Sequence, residues 1–180
     1  MKNVKNQLNQ DSNKVGEHVK EKVGETMAKV SGGSLKSGFN IKILAGIPDS
    51  KVSTLYAQAY QLYNTGKYRD AIEIFRILIL LDSTESKFMM GIAACLHMMK
   101  EYNAALEAYT LVTFLDPDNP VPFFHASDCA LQLKDKLGAM VALQMALKKA
   151  QNKPEFKTLK ERAEITLEGL KKEVKDQPLI

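Results

Sequence analysis

The chain has 180 residues, enough for one helical unit and too few for two domains with separate cores. Its apolar share is 45%, and Lys and Arg outnumber Asp and Glu by only 25 to 21, a formal charge of +4. A surplus so small and so dispersed argues against a nucleic-acid surface, which needs basic residues clustered on one face.

Residues Met1 to Gln10 are polar and amide-rich, without helical periodicity and without the apolar core of a secretory signal. From Asp11 or Ser12, either suited to cap a helix, Val15, Val19, Val23, Met27 and Val30 step by four, four, four and three. This spacing predicts an amphipathic N-terminal helix with a thin apolar stripe. Valine is a weak helix former, so the stripe requires something to pack against. A homodimer contact is the favoured reading, with packing on the same chain and folding only on a partner as open alternatives. Ser31-Gly32-Gly33-Ser34 reads as a linker, and Phe39, Ile41, Ile43, Leu44 and Ile47 as an apolar cluster ending in a turn at Pro48-Asp49-Ser50. Ser50 or Ser53 is expected to cap the helix that follows.

From Val52 to Lys153 the sequence repeats at a period of 34 residues. Ala71, Ala105 and Ala139 align; four residues on come Phe75, Tyr109 and Leu143, and three further come Leu78, Val112 and Ala146. Upstream the register holds Leu55, Met89 and Phe123, then Ala59, Ala93 and Ser127, with breaks near Gly66, Lys100 and Lys134. Period and residue sizes together are the signature of tetratricopeptide repeats. The reading places helix pairs at 52–64 and 68–81, 86–99 and 102–115, and 121–133 and 137–150. After Asn152-Lys153-Pro154, a helix from Glu155 to about Lys175 carries Phe156, Leu159, Ala163, Leu167 and Leu170 and is expected to cap the stack. The fold expected is all-α: three tandem repeats in a short superhelix over 51–153, an N-terminal unit over 1–50, and a C-terminal capping helix and tail over 154–180.

No constellation supports catalysis. His18, His97 and His125 are scattered, there is no HExxH motif, no serine sits in a nucleophile elbow, and no glycine-rich phosphate loop occurs. Cys95 and Cys129 occupy one repeat position 34 residues apart, which predicts reduced thiols packed inside first helices, with no metal and no cofactor. No run approaches the roughly 18 apolar residues that cross a bilayer, so stable membrane insertion is not expected.

Binding is better supported. In such repeats the groove is lined by roughly the second, fifth, ninth and twelfth residues of each first helix. Counted from Val52, the first repeat places Tyr56, Tyr60 and Tyr63 there, sharing one face at i, i+4 and i+7. The second repeat gives Lys87, Met90, Ala94 and His97, and the third gives Val121, Phe124, Asp128 and Leu131. Such a surface suits an apolar segment of another chain, with its few polar groups pairing that segment's backbone. Ordinary interhelix packing is the competing reading for the tyrosines, Met90 and Phe124, and solvated edge charge for Lys87 and Asp128. Grooves that hold a terminal carboxylate need clustered Lys, Arg and Asn donors, absent from these positions.

The chain resembles the class II chaperones of bacterial type III secretion. The resemblance is carried by Leu55-Tyr56, Ala59-Tyr60, Tyr63, Gly66-Lys67-Tyr68, Ala71 and Asp82, and by Ser86-Lys87-Phe88 and Gly91-Ile92-Ala93-Ala94-Cys95. It continues through Pro122-Phe123-Phe124-His125-Ala126 and Asn152-Lys153-Pro154-Glu155-Phe156-Lys157, covering about residues 50 to 172. It implies a bacterial cytoplasmic chaperone, independent of ATP, that binds an N-terminal segment of a hydrophobic translocator and keeps it soluble and unassembled before export. It also implies dimerisation through N-terminal helical material, although the first 35 residues here are longer and more polar than the family pattern. An adaptor joining soluble proteins through the same groove is the alternative function, and a nucleic-acid binder or an enzyme is less favoured still.

Overall fold

The computed structural model describes Lys42 and residues 45–175. The expectations for the polar start, the amphipathic stripe, the Gly-Gly linker, most of the following apolar cluster and the last residues lie outside that range. Among the described residues the chain is all-α, with seven helices: α1 Asp49–Asn64, α2 Tyr68–Leu81, α3 Ser86–Met98, α4 Tyr102–Leu115, α5 Pro120–Gln132, α6 Lys136–Ala150 and α7 Lys157–Lys175. Each helix packs on its neighbours in sequence, and α1 also touches α3 as α5 touches α7.

Helix pairing follows from side-chain size. Ala59 and Ala71, Ala93 and Ala105, and Ser127 and Ala139 are all fully buried, so within each pair the helix axes can approach until almost no side chain separates them. Phe75, Tyr109 and Leu143 then fill the space beside these contacts, at 2%, 1% and 0% exposure. Gly91 makes a further close approach possible. A Cβ there would sit inside van der Waals distance of three ring atoms of Phe75, so α3 can lie against α2 only without one.

The three breaks are one turn used three times. Gly66, Lys100 and Lys134 have φ of 75°, 63° and 62°. At each, two backbone bonds reach back in the same pattern: Gly66 N–H to the Tyr63 carbonyl at 3.0 Å and Lys67 N–H to Leu62 at 2.9 Å; Lys100 to His97 and Glu101 to Leu96, both at 2.9 Å; Lys134 to Leu131 at 3.0 Å and Asp135 to Ala130 at 2.9 Å. This is the Schellman arrangement, which satisfies the last carbonyls of a helix with one left-handed residue. Lysine occupies that position twice, where glycine would be unstrained.

Helix starts differ from the expectation in two places. Neither Ser50 nor Ser53 caps α1: the N-cap is Pro48, without a side-chain cap, and both serines lie inside the helix. Asp49 instead puts a carboxylate in the first turn, where the helix dipole favours it, and pairs with Lys42 at 2.7 Å. The last helix is not continuous from Glu155, because Pro154–Phe156 forms a 3-10 turn before α7 begins. The Asn119 side chain, by contrast, caps α5 by accepting from Val121 N–H at 3.0 Å, with Pro120 suited to the first helical position.

α7 places Ala163, Leu167 and Leu170 in one core cluster with Ala139, Leu143 and Ala146 of α6. None of the described helices is long and apolar enough to cross a membrane.

Replacing Gly91 with alanine should lower stability by about 1–3 kcal/mol, the cost of forcing a methyl into a packed core. Urea denaturation followed by circular dichroism measures it, and an unchanged midpoint would show that the Phe75 ring yields freely.

Candidate peptide-binding face

Two separate sets of ring contacts join the first helices, one between α1 and α3 and one between α3 and α5. On α1, Tyr56 is half-buried, with its ring centroid 6.1 Å from that of Phe75 and 5.9 Å from that of Phe88. Lys87 brings its ammonium to 5.7 Å from the Tyr56 ring centre and 5.3 Å from that of Phe88, while holding Glu85 at 2.7 Å. One turn on, Tyr60 is 53% exposed and stacks on Tyr63 at 6.4 Å, and Tyr63 in turn meets Tyr68 edge-on at 5.5 Å. Burial raises the pKa of Tyr63, helped by the neighbouring Tyr68 phenol. The exposed part of Tyr60 is therefore the free end of an aromatic row whose other members are seated against helices.

A second cluster forms where α3, α4 and α5 converge. His97 contacts the rings of Tyr102, Tyr109 and His125 at 5.8, 6.0 and 6.1 Å. Tyr109 lies 3.5 Å by its hydroxyl from His97 Nδ1, and its ring stacks on His125 at 5.4 Å. His125 also meets Phe124 at 5.9 Å and stands 3.9 Å by Nδ1 from Asp128. Burial lowers the pKa of His125 against the pull of the Asp128 charge, and burial raises the pKa of Asp128 against that of His125.

Of the sequence-derived positions, Tyr56 and Lys87 stand at the α1–α3 junction, Tyr60 and Tyr63 form a row with Tyr68 of α2, and His97 and Asp128 are joined through His125. Met90 is half-buried against the cluster of Ala93, Ala105 and Tyr109, and Ala94 is half-buried beside it on α3. Leu131 packs against the α5–α6–α7 core, and Phe124 belongs to that core, 5% exposed with the Arg162 guanidinium 5.0 Å over its ring. Sequence reasoning had no role for Tyr68 and Tyr102, although their spacing of 34 residues marks them as equivalent positions. It gave Tyr109 only a place in the repeat register, and named His125 only among scattered histidines and within a resemblance.

Both cysteines are free and buried, and burial pushes each thiol up to about 11. Among the described residues no group of three or more His, Cys, Asp or Glu side chains is placed to hold a metal.

The tetratricopeptide-repeat family matches residues 54–84 and 86–119. The low calcium response locus protein H of Yersinia pseudotuberculosis is 36% identical over 137 residues, which cover 76% of this chain and 82% of that protein. The chain belongs to the class II translocator chaperones of type III secretion. Two solved members of the family hold translocator peptides. The Yersinia enterocolitica chaperone SycD, in complex with a peptide of the translocator YopD, superposes with a TM-score of 0.68 at 35% identity, covering 71% of this chain and 97% of that one. PcrH in complex with the chaperone-binding region of PopD superposes with a TM-score of 0.68 at 32% identity, covering 71% and 96%. The repeat match spans Tyr56, Tyr60, Tyr63, Phe88, His97 and Tyr109 and ends before His125.

Two outcomes follow. The folded His125 pKa lies below its ordinary 6.5, so the native chain binds fewer protons than the unfolded one as pH falls through that value. Stability contributed by the neutral ring is complete above 6.5 and is lost towards the folded pKa. The urea midpoint should thus drop between about pH 7.5 and about pH 5.5, and drop less in His125→Gln; equal drops in both would remove His125 as the cause. Neither thiol should react with iodoacetamide in the native chain near pH 8, whereas both should be labelled in denaturant. Rapid native labelling at either site would contradict its burial.

Proposed function

We propose that this chain is a cytoplasmic chaperone that holds a hydrophobic translocator of a type III secretion system before export. On this reading an extended segment near the client's N-terminus lies along the face shared by α1, α3 and α5. Three repeats form the short superhelix whose concave side is that face, and α7 closes its C-terminal end. The observation that carries the reading is the pairing of family membership with the ring row. Relatives at 35% and 32% identity hold translocator peptides, and this chain aligns Tyr56, Tyr60 and Tyr63 on one side of α1.

The chemistry suits the task. A translocator carries membrane-seeking segments that aggregate in water, and capturing one anchor segment keeps the subunit from assembling early. Tyr60 offers a half-exposed ring for an apolar side chain, with Tyr56 and Tyr63 forming the walls. Lys87 marks the α1–α3 end of the path, Met90 and Ala94 continue it, and His97 and Asp128 supply its polar groups. Leu131 stands at the far side. Phe124 acts from below, holding α5 against α7.

Co-expression with each apolar protein encoded nearby, followed by size-exclusion chromatography with light scattering, tests the reading. A soluble complex lost on truncating the partner's N-terminal segment supports it; co-purification of a soluble secretion component alone would replace it with an adaptor. Tyr60→Ala should weaken the complex by about 1–3 kcal/mol, the loss of one anchor residue. Its helical signal should be unchanged, and wild-type affinity in this variant would remove Tyr60 from the binding face.

A further inference from the structure

Tyr109 is 1% exposed, and its hydroxyl lies 3.5 Å from His97 Nδ1. Burial pushes its pKa up, so the group remains a phenol with one proton to donate. No buried side-chain polar atom lacks a partner among the described residues, and the bond to His97 is the one this hydroxyl makes there. Were Nδ1 protonated, it would donate to the phenol oxygen and leave the buried phenolic hydrogen with nowhere to go. The satisfied arrangement has Tyr109 O–H donating to Nδ1, which puts the imidazole's single proton on Nε2.

We infer that Tyr109 is a positioning residue that fixes the tautomer of His97, so that His97 Nε2–H donates to a main-chain carbonyl of an extended ligand segment. The inference rests on the translocator-binding reading above and names what its centre recognises. The ring is held on three sides, by Tyr102, Tyr109 and His125, so the donor is set before any ligand arrives. Its surroundings choose a neutral acceptor over a carboxylate. Asp128 stands next to His125 with a side chain 37% exposed, and Arg162 is committed to the Phe124 ring. An extended peptide laid across otherwise apolar residues carries unpaired carbonyls that must be matched, and a fixed N–H donor meets that need without requiring a particular side chain.

The test uses the full chain and a fluorescently labelled synthetic peptide spanning the translocator segment defined by the truncations above. Long-range proton–nitrogen NMR spectra of histidine-labelled protein near pH 8 should show His97 as a single Nε2–H tautomer, turning into a mixture in Tyr109→Phe. Tyr109→Phe and His97→Leu should each weaken peptide binding about three- to tenfold, the worth of one hydrogen bond. His97→Gln should stay within about twofold, because its amide oxygen accepts from Tyr109 while its NH2 still donates. A mixed tautomer in the wild type, or wild-type binding by both Tyr109→Phe and His97→Leu, would overturn the inference and leave the chaperone reading intact. If no translocator co-purifies with the wild-type chain, the chaperone reading fails and this inference falls with it.

Discussion

The contact on which the structure depends is the smallest in it: alanine against alanine, or serine against alanine, where the two helices of a pair meet. With Ala59, Ala71, Ala93, Ala105, Ser127 and Ala139 all at 0% exposure, helix spacing within each pair is set by backbone bulk rather than by side-chain length. Everything larger is displaced sideways, and so Phe75, Tyr109 and Leu143 fill the seams between one pair and the next. The stack is therefore rigid where it is thin and filled where it is wide. One Leu in place of any of these alanines disturbs both dimensions together.

That spacing also decides what becomes of the rings. First helices of successive pairs stand close enough for Tyr56 to reach Phe88 and for His97 to reach His125. A ring on one helix thereby becomes part of the surface of the next, and no single helix owns the proposed binding face. Lys87 illustrates the result. Its ammonium belongs to α3 but lies over a tyrosine of α1, so its charge is presented at the junction and partly offset by Glu85. The face combines aromatic area with few charges, a balance suited to a segment that is apolar but not uniformly so.

The helix pairs were legible because a 34-residue period constrains size at several positions at once, and each Schellman turn repeats on the same period. The helix boundaries fell within a few residues for the same reason. What escaped were features decided by single atoms. The start of α1 depends on Pro48 rather than on a neighbouring serine, and the 3-10 turn at Pro154–Phe156 depends on how the chain leaves α6. At the site, periodicity identifies which residues share a face but not which of them are covered. Phe124 and Tyr60 both fall at positions read as lining the groove, yet α7 shields the former and nothing described shields the latter. The bond between Tyr109 and His97 joins residues twelve apart on different helices, a pairing that no spacing rule along one helix contains.

Because each helix packs almost only on its neighbours in sequence, the stack behaves mechanically as a row of plates hinged in series. A small rotation at each seam adds to the next, so the first helices can spread or close together by amounts that no single contact has to absorb. On the proposed reading, such a face would be a soft spring rather than a mould: its curvature would adjust to the length and bulk of a bound segment, with the elastic energy shared along the array instead of concentrated at the point of grip.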